Sequence, residues 1–377
     1  RVSSIEQRAT MSFLDHIKTP TLLLDEQKCL DNIRRMADKA RRNNLIFRPH
    51  FKSHQSAAIG EWYREEGVTA ITVSSVEMAG YFADAGWNDI TIAFPVNLLE
   101  LNDIERLAGK IHLNLLVNFP DIIPVLDNKM TNPVGIFIEI DTGYHRSGLT
   151  LENINLIETI INGCKQSHKL DFKGFLSHFG ESYQASNPDE IEKIFYHGVR
   201  ELQQIKRSLH PGQAGLISVG DTPTCSVADD FQGVDEIRPG NYLFYDVMQL
   251  EIGACATDQI ALCLAAPVVD LYPARNEVVV YAGAIHLSKE RLRRNGEEIF
   301  GLVVRLTNEG WTKPLEGCSV TQLSQEHGVL QLDPDTLNSL KPGSLIGILP
   351  VHACLTADSM KKYMTIQGKP VSMFTGI

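Results

Sequence analysis

Many features that classify a chain quickly are missing from this one. No apolar run among its 377 residues is long enough to cross a bilayer. The N-terminus lacks the basic-then-apolar pattern of a secretory leader. The seven cysteines, Cys29, Cys164, Cys225, Cys255, Cys263, Cys318 and Cys354, are odd in number and show no paired spacing. That excludes a disulfide framework and points to a reducing, cytoplasmic setting. Positive charge is scarce: 46 Asp and Glu face 35 Lys and Arg, for a formal net charge of −11. Nucleic acid and an anionic membrane surface are therefore excluded as main partners. No G-x-G-x-x-G follows a strand signal, so the doubly wound dinucleotide fold lacks its fingerprint. Internal repeats and low-complexity segments are absent as well. Residues Arg1 to Thr10 read as an extension ahead of Met11, the expected natural start.

What is present is a chain that is 43% hydrophobic and 21% charged, with length for two domains. Thr21–Asp25 reads as a short strand. Glu26–Asn44 reads as an amphipathic helix with Leu30, Ile33, Met36, Ala37 and Ala40 on one face. Strand signals then recur at Leu45–Arg48, Ala70–Val73, Ile90–Ala93, Ile111–Val117, Val134–Ile140, Phe172–Ser177, Leu216–Val219 and Glu236–Arg238. Helical patterns separate most of them, as at Ser75–Ala85, Leu98–Leu107, Leu151–Ser167 and Asp189–Ser208. This α/β alternation predicts a TIM-type (β/α)8 barrel over residues 26–245. Past Tyr245 the helix signals thin out and strand signals crowd together, at Ala261–Val269, Glu277–Ala282, Leu302–Leu306, Val329–Leu332 and Leu345–Leu349. Residues 246–377, joined by 11–25, are expected to form a mainly-β domain.

The chain is organised around Arg48-Pro49-His50-Phe51-Lys52-Ser53-His54, just past the first barrel strand. Lysines are rarely buried without a reason. A desolvated lysine between two potential cations has a lowered pKa and forms Schiff bases as a neutral amine. Alone, the stretch also fits an exposed loop lysine. Active-site residues of barrels gather at the C-terminal ends of strands. There stand Glu139–Gly148 with Arg146, His178–Tyr183, Ser218–Thr224, and Arg238–Asp246 with Tyr245. The Gly220-Asp221-Thr222 turn suits a phosphate, with glycine letting backbone N–H groups converge. His352 and Cys354 share one face if they lie on a strand, as two zinc ligands could.

Together these stretches resemble the D-serine dehydratase and D-threonine aldolase family of fold-type III pyridoxal phosphate enzymes, related to alanine racemase. The resemblance covers nearly the whole chain after Pro20. It implies that Lys52 is the Schiff-base lysine, that Arg146 lies near the pyridine ring and that Tyr183 contacts the cofactor. It further implies that Gly220 to Thr222 hold the phosphate and that His352 and Cys354 hold Zn2+. His50, His178 and Tyr245 join these as expected cofactor contacts. Alanine racemases carry a tyrosine four residues past the lysine; here Ser56 stands there, which weighs against racemisation. The aldolase branch carries His-x-Asp where this chain has His-x-Cys, which leans towards a dehydratase because thiolate and imidazole favour zinc. The implied activity is a lyase on small D-3-hydroxy amino acids, giving a 2-oxo acid and ammonia. Aldol cleavage to glycine and an aldehyde, racemisation, and a non-catalytic cofactor carrier are the alternatives. A head-to-tail homodimer is the implied assembly.

Overall fold

Buried parallel strands read as continuous apolar runs, because both faces are covered. The eight runs form eight strands: Ile46–Phe47, Ile71–Val73, Asp89–Pro95, His112–Leu116, Val134–Glu139, Leu170–Ser177, Leu216–Val219 and Glu236–Ile237. In this computed structural model, which describes residues 13–210, 213 and 215–376, consecutive strands from the second onward pair in parallel. The first pairs with the eighth through Ile46↔Glu236 and Phe47↔Ile237. It meets the second just past its end, where the Thr72 N–H donates to the Pro49 carbonyl at 2.9 Å and His50 bridges Thr72. The sheet is thus a closed (β/α)8 barrel. The expected start at Met11 lies outside the described residues.

The helices form where the sequence places caps and apolar stripes. Glu26–Arg42 buries Cys29, Ile33, Met36, Ala37 and Ala40, and each fully buried Ile or Met contributes roughly 1.5–3 kcal/mol. Asn187 caps Pro188–Ser208 through the Glu190 N–H, and Pro188 supplies the fixed φ suited to a first turn. In the barrel unit, four helices among the described residues lack a clear sequence signal: Ala57–Glu65, Ile122–Lys129, Thr222–Val227 and Val247–Glu251. All have nine residues or fewer, too short for a clear apolar period.

The chain divides into two compact units, one of Gln27–Ile260 with the residues from Ser372, the other of Ala261–Val371 with the residues up to Glu26. The break falls at Ile260 rather than at Tyr245. Asp246 caps the short Val247–Glu251 helix and accepts from Asn241 Nδ2 at 2.7 Å. Asn32 Nδ2 donates to the carbonyls of Leu243 and Gln259, at 2.9 Å each. These bonds keep the segment with the barrel. The second unit carries a nine-stranded, mostly antiparallel sheet. Leu262–Tyr272 pairs with both Glu277–Tyr281 and Leu345–Pro350, which closes part of that sheet into a ring. Thr21–Leu24 joins it, antiparallel to Leu262–Tyr272, as its sequence position suggested.

Candidate active site

Lys52 sits on a single 3-10 turn, Phe51–Ser53, directly after the first barrel strand. Phe51 is driven inward, edge-on to Phe82 and Trp87 with ring centroids 5.0 Å away in each case. Ser53 is buried too, so Lys52 is the residue of the turn that faces out. The expected burial of Lys52 is therefore not met: its side chain is exposed. The two flanking histidines also differ from expectation. His54 packs between Phe51 and Tyr63, and burial pushes its pKa down to about 3. Burial likewise drives His50 well below its ordinary range, helped by Lys52, Arg238, His178 and Arg146. Both rings are neutral, and the cations that crowd Lys52 are guanidiniums rather than imidazoliums.

His178 reports the same neighbourhood. Burial lowers its pKa to about 3, with Arg146, Lys52 and Arg238 acting in the same direction. Lys52, His50, Arg146, His178 and Arg238 therefore form one cluster at the C-terminal ends of the barrel strands. Arg146 rides on the loop after the fifth strand. Asp141 organises that loop, accepting from the N–H groups of Gly143 and His145 at 3.0 Å each and pairing with His145 Nδ1 at 3.0 Å. The nearest carboxylate oxygen to the Arg146 guanidinium is Glu139 Oε1, at 3.8 Å. The other Glu139 oxygen accepts from Asn118 Nδ2 at 3.1 Å.

The turn after the seventh strand differs in detail from a simple cradle. A Cβ on Gly220 would lie 2.9 Å from the Arg238 carbonyl oxygen, so the missing side chain serves close packing of two strand ends. The Asp221 carboxylate caps the short helix that follows the turn. It accepts from Ser182 Oγ, Thr224 N and Thr224 Oγ1 at 2.9, 2.8 and 2.6 Å, and burial raises its pKa to about 6. Thr222 N donates to the Tyr183 hydroxyl at 3.2 Å, which brings Tyr183 to the turn. Thr222 Oγ1 accepts from Tyr242 N at 3.2 Å, leaving its hydrogen for another acceptor. The Tyr245 hydroxyl meets Ser226 Oγ at 3.0 Å, and burial raises its pKa to about 12.

Arg238, in the Arg238–Asp246 stretch, is a site residue that local sequence pattern does not reveal. It belongs to a buried polar chain across the barrel. Arg238 Nε donates to Ser218 Oγ at 2.7 Å, and Ser218 Oγ donates to Glu236 Oε1 at 2.7 Å. Glu236 Oε2 accepts from Arg48 Nε at 2.7 Å, and Arg48 also binds Asp89 at 2.6 Å. Charged residues inside short barrel strands were the available signal. Burial lowers the Arg238 pKa to about 10, still a cation at neutral pH.

The metal pair is where the structure departs most from expectation. The strand Leu345–Pro350 ends before His352, which is the N-cap of the helix Ala353–Met360; Cys354 is that helix's second residue. Strand alternation therefore does not place the two side chains on one face. Both remain half-buried. Among the described residues, no group of three or more His, Cys, Asp or Glu gathers to hold a metal.

The cluster around Lys52 suits a polyanionic aromatic cofactor. Lys52, Arg146 and Arg238 all act on the two neutral imidazoles, and Glu139 is the carboxylate that faces Arg146. Glu236, the carboxylate that weighs most on Arg238, is spent on Arg48 and Ser218. A phosphate-bearing ring would add negative charge there, and the side chains of His178 and Tyr183 offer aromatic surface. A closed parallel barrel with such a lysine past its first strand, followed along the chain by a β unit, defines the fold-type III pyridoxal phosphate enzymes.

Comparison with known proteins narrows this class. Residues 24–247 match the model of the alanine racemase N-terminal domain, and residues 261–366 match a serine dehydratase domain. The chain is 30% identical over 381 residues to D-serine dehydratase of Dictyostelium discoideum, covering 94% of each. The structure of D-threo-3-hydroxyaspartate dehydratase from Delftia sp. HT23 superposes with a TM-score of 0.87 at 26% identity, covering 97% of this chain and 100% of that one. A mutant of D-threo-3-hydroxyaspartate dehydratase with a cysteine replaced by alanine, in the metal-free form, matches with a TM-score of 0.88 at the same 26% identity and coverage. The chain belongs to the D-serine dehydratase and D-threonine aldolase family.

Proposed function

We propose that this protein is a pyridoxal phosphate-dependent lyase that removes water from small D-3-hydroxy amino acids, leaving a 2-oxo acid and ammonia. The observation that carries the reading is the gathering of Lys52, Arg146 and Arg238 around two neutral histidines at the barrel's strand ends. Lys52 would hold the cofactor covalently. His50, Arg146, His178 and Tyr183 would line it, with the turn Gly220, Asp221 and Thr222 at its phosphate. Tyr245 would contact the cofactor only by exchanging bonds it already makes, since its hydroxyl meets Ser226 Oγ at 3.0 Å and its N–H donates to the Asn241 carbonyl at 2.7 Å. Bound pyridoxal phosphate supplies an electron sink at the substrate α-carbon. The Lys52 ε-amine would take the Cα proton as general base. Burial favours the neutral forms of His50 and His178, so these rings would orient the cofactor and exclude water.

His352 and Cys354 are the residues that would hold Zn2+. Their nitrogen and sulfur donors favour it over harder ions, and two protein ligands leave open positions. Zinc held by these donors would supply Lewis-acid chemistry. The racemase alternative is weakened at Ser56. That residue is fully buried, and its Oγ accepts from Ile59 N at 3.4 Å as a helix cap, where a racemase has a phenol. A homodimer in the cytoplasm is part of the same reading. No helix among the described residues is long and apolar enough to cross a membrane.

The test is product analysis on D- and L-isomers of serine, threonine and 3-hydroxyaspartate. A 2-oxo acid with ammonia from D-isomers alone supports the dehydratase. Glycine with an aldehyde would replace it by the aldolase, and inversion without cleavage by the racemase.

A further inference from the structure

Tyr144 stands beside the Lys52 cluster without an assigned role. It lies on the loop after the fifth barrel strand, fixed at its base by Asp141 N to Leu149 O and Leu149 N to Glu139 O, both 2.9 Å. Its ring meets the His178 ring edge-on, with centroids 5.7 Å apart at 77°. The Arg146 guanidinium lies over the same ring, 5.4 Å from its centroid, within reach of a cation–π contact. A third surface of the ring rests on Gly180. A Cβ built there would come 2.4, 2.5 and 2.6 Å from Cε1, Cδ1 and Cζ of Tyr144, closer than real Cβ contacts allow. Gly180 is not among the residues of positive φ, so its backbone does not require glycine. The absent side chain is instead the seat of the Tyr144 ring. All three contacts use ring atoms.

We propose that Tyr144 is a positioning residue: seated on Gly180, its ring holds the Arg146 guanidinium and the His178 imidazole in one arrangement and so sets how tightly the site takes its carboxylate-bearing substrate. This rests on the lyase reading, which places Arg146 at the cofactor; the same guanidinium is here given the substrate carboxylate as a second partner. Two loops from neighbouring strands are locked by one aromatic ring, and Asp141 prevents the backbone of the first loop from yielding. Loss of the ring frees the Arg146 side chain, which is half-exposed and 3.8 Å from its nearest carboxylate. The cost falls on binding more than on the proton transfer at Lys52.

The experiment is a double-mutant cycle on the holoenzyme with D-serine and D-3-hydroxyaspartate. Tyr144→Leu is expected to raise KM about tenfold, the loss of a contact of about 1.4 kcal/mol, while kcat falls less than threefold. Tyr144→Phe keeps the ring and should recover most of that loss. Gly180→Ala should imitate Tyr144→Leu by pushing the ring off its seat. Adding Gly180→Ala to Tyr144→Leu should then cost nothing further. A Gly180→Ala penalty of equal size with or without Tyr144 overturns the proposal, as does an unchanged KM in Tyr144→Leu. The same cycle read as thermal midpoints of the cofactor-free chain does not depend on the reaction. Wild type that turns over no D-3-hydroxy amino acid defeats the lyase reading and the substrate role of Tyr144. Coupling in the thermal cycle would still establish the seat; additive thermal shifts overturn the seat itself.

Discussion

His178 Nδ1 lies 2.6 Å from the carbonyl oxygen of Gly220. A carbonyl oxygen only accepts, so Nδ1 carries the hydrogen and Nε2 keeps its lone pair. This bond ties the sixth strand end to the seventh, and it fixes the ring's tautomer. Burial holds the ring neutral down to about pH 3. The pH–rate profile between pH 5.5 and 8 should therefore contain no step owed to His178. His178→Phe should lower activity while leaving the midpoints of the profile in place. A midpoint that vanishes in the variant would show that His178 carries a working proton.

Lys52 faces outward with three cationic or imidazole groups from other strand ends around it. Purified protein should take up one pyridoxal phosphate, and borohydride should fix it on the peptide holding Lys52. Lys52→Ala should abolish turnover while the thermal midpoint of the cofactor-free chain stays nearly constant, since an exposed side chain packs little. A label on any other lysine moves the site.

His54 gives a stability prediction with a definite sign. Its ordinary pKa is 6.5, and burial lowers it to about 3 in the folded chain. Below pH 6.5 the unfolded chain takes up a proton that the folded chain refuses. The stability that depends on neutral His54 is thus complete above pH 6.5 and is lost as pH falls towards 3. His54→Phe removes this linkage, at the cost of the bond from Ser56 N to His54 Nδ1 at 3.1 Å. Between pH 8 and pH 5 the wild type should lose about 2 kcal/mol more than the variant. Urea unfolding of both at the two pH values measures it; parallel losses would mean that His54 titrates normally.

The barrel was legible because eight buried parallel strands write eight apolar runs, and because Gly and polar residues collect where those runs stop. The second unit was legible only in outline. The strands Ser319–Leu323 and Lys362–Thr365 carry polar residues on a half-exposed face and were missed. Arg238 and Glu236 were visible as charges in a strand, but their meaning depends on neighbours across the ring, which no local pattern records. His352 and Cys354 were misread because the apolar run of Leu345–Pro350 continues into Val351. Ala353, Leu355 and Ala357 then favour a helix, with His352 extended at its cap.

Glu236 is fully buried between Arg48 and the Ser218–Arg238 pair. Glu236→Gln keeps the shape and removes the charge, leaving two buried guanidiniums with less compensation. Breaking one side of a buried pair costs about 3–5 kcal/mol. The variant should show a lower thermal midpoint and weaker pyridoxal phosphate uptake, because Arg238 loses its anchor through Ser218. Unchanged stability would mean that Asp89 alone suffices for Arg48.

The last prediction concerns His352 and Cys354. Their place at a helix start removes the geometric reason for treating them as a pair, so the donors themselves must carry the argument. An imidazole and a thiolate form a soft set that selects zinc, whereas carboxylate oxygen suits manganese and magnesium. With no third His, Cys, Asp or Glu gathered beside them among the described residues, the two donors would hold an ion less tightly than a closed four-ligand site and leave positions for water. Dialysis against a strong chelator should therefore strip the metal and stop turnover without unfolding the chain or releasing pyridoxal phosphate, and zinc should restore it. Cys354→Ala should hold no stoichiometric zinc by elemental analysis. Cys354→Asp should bind zinc more weakly and recover activity best with manganese. If both variants keep one zinc per chain, the ion sits elsewhere. If turnover of D-serine survives complete removal of metal, departure of the hydroxyl needs no Lewis acid in this protein, and the two residues only shape a helix end.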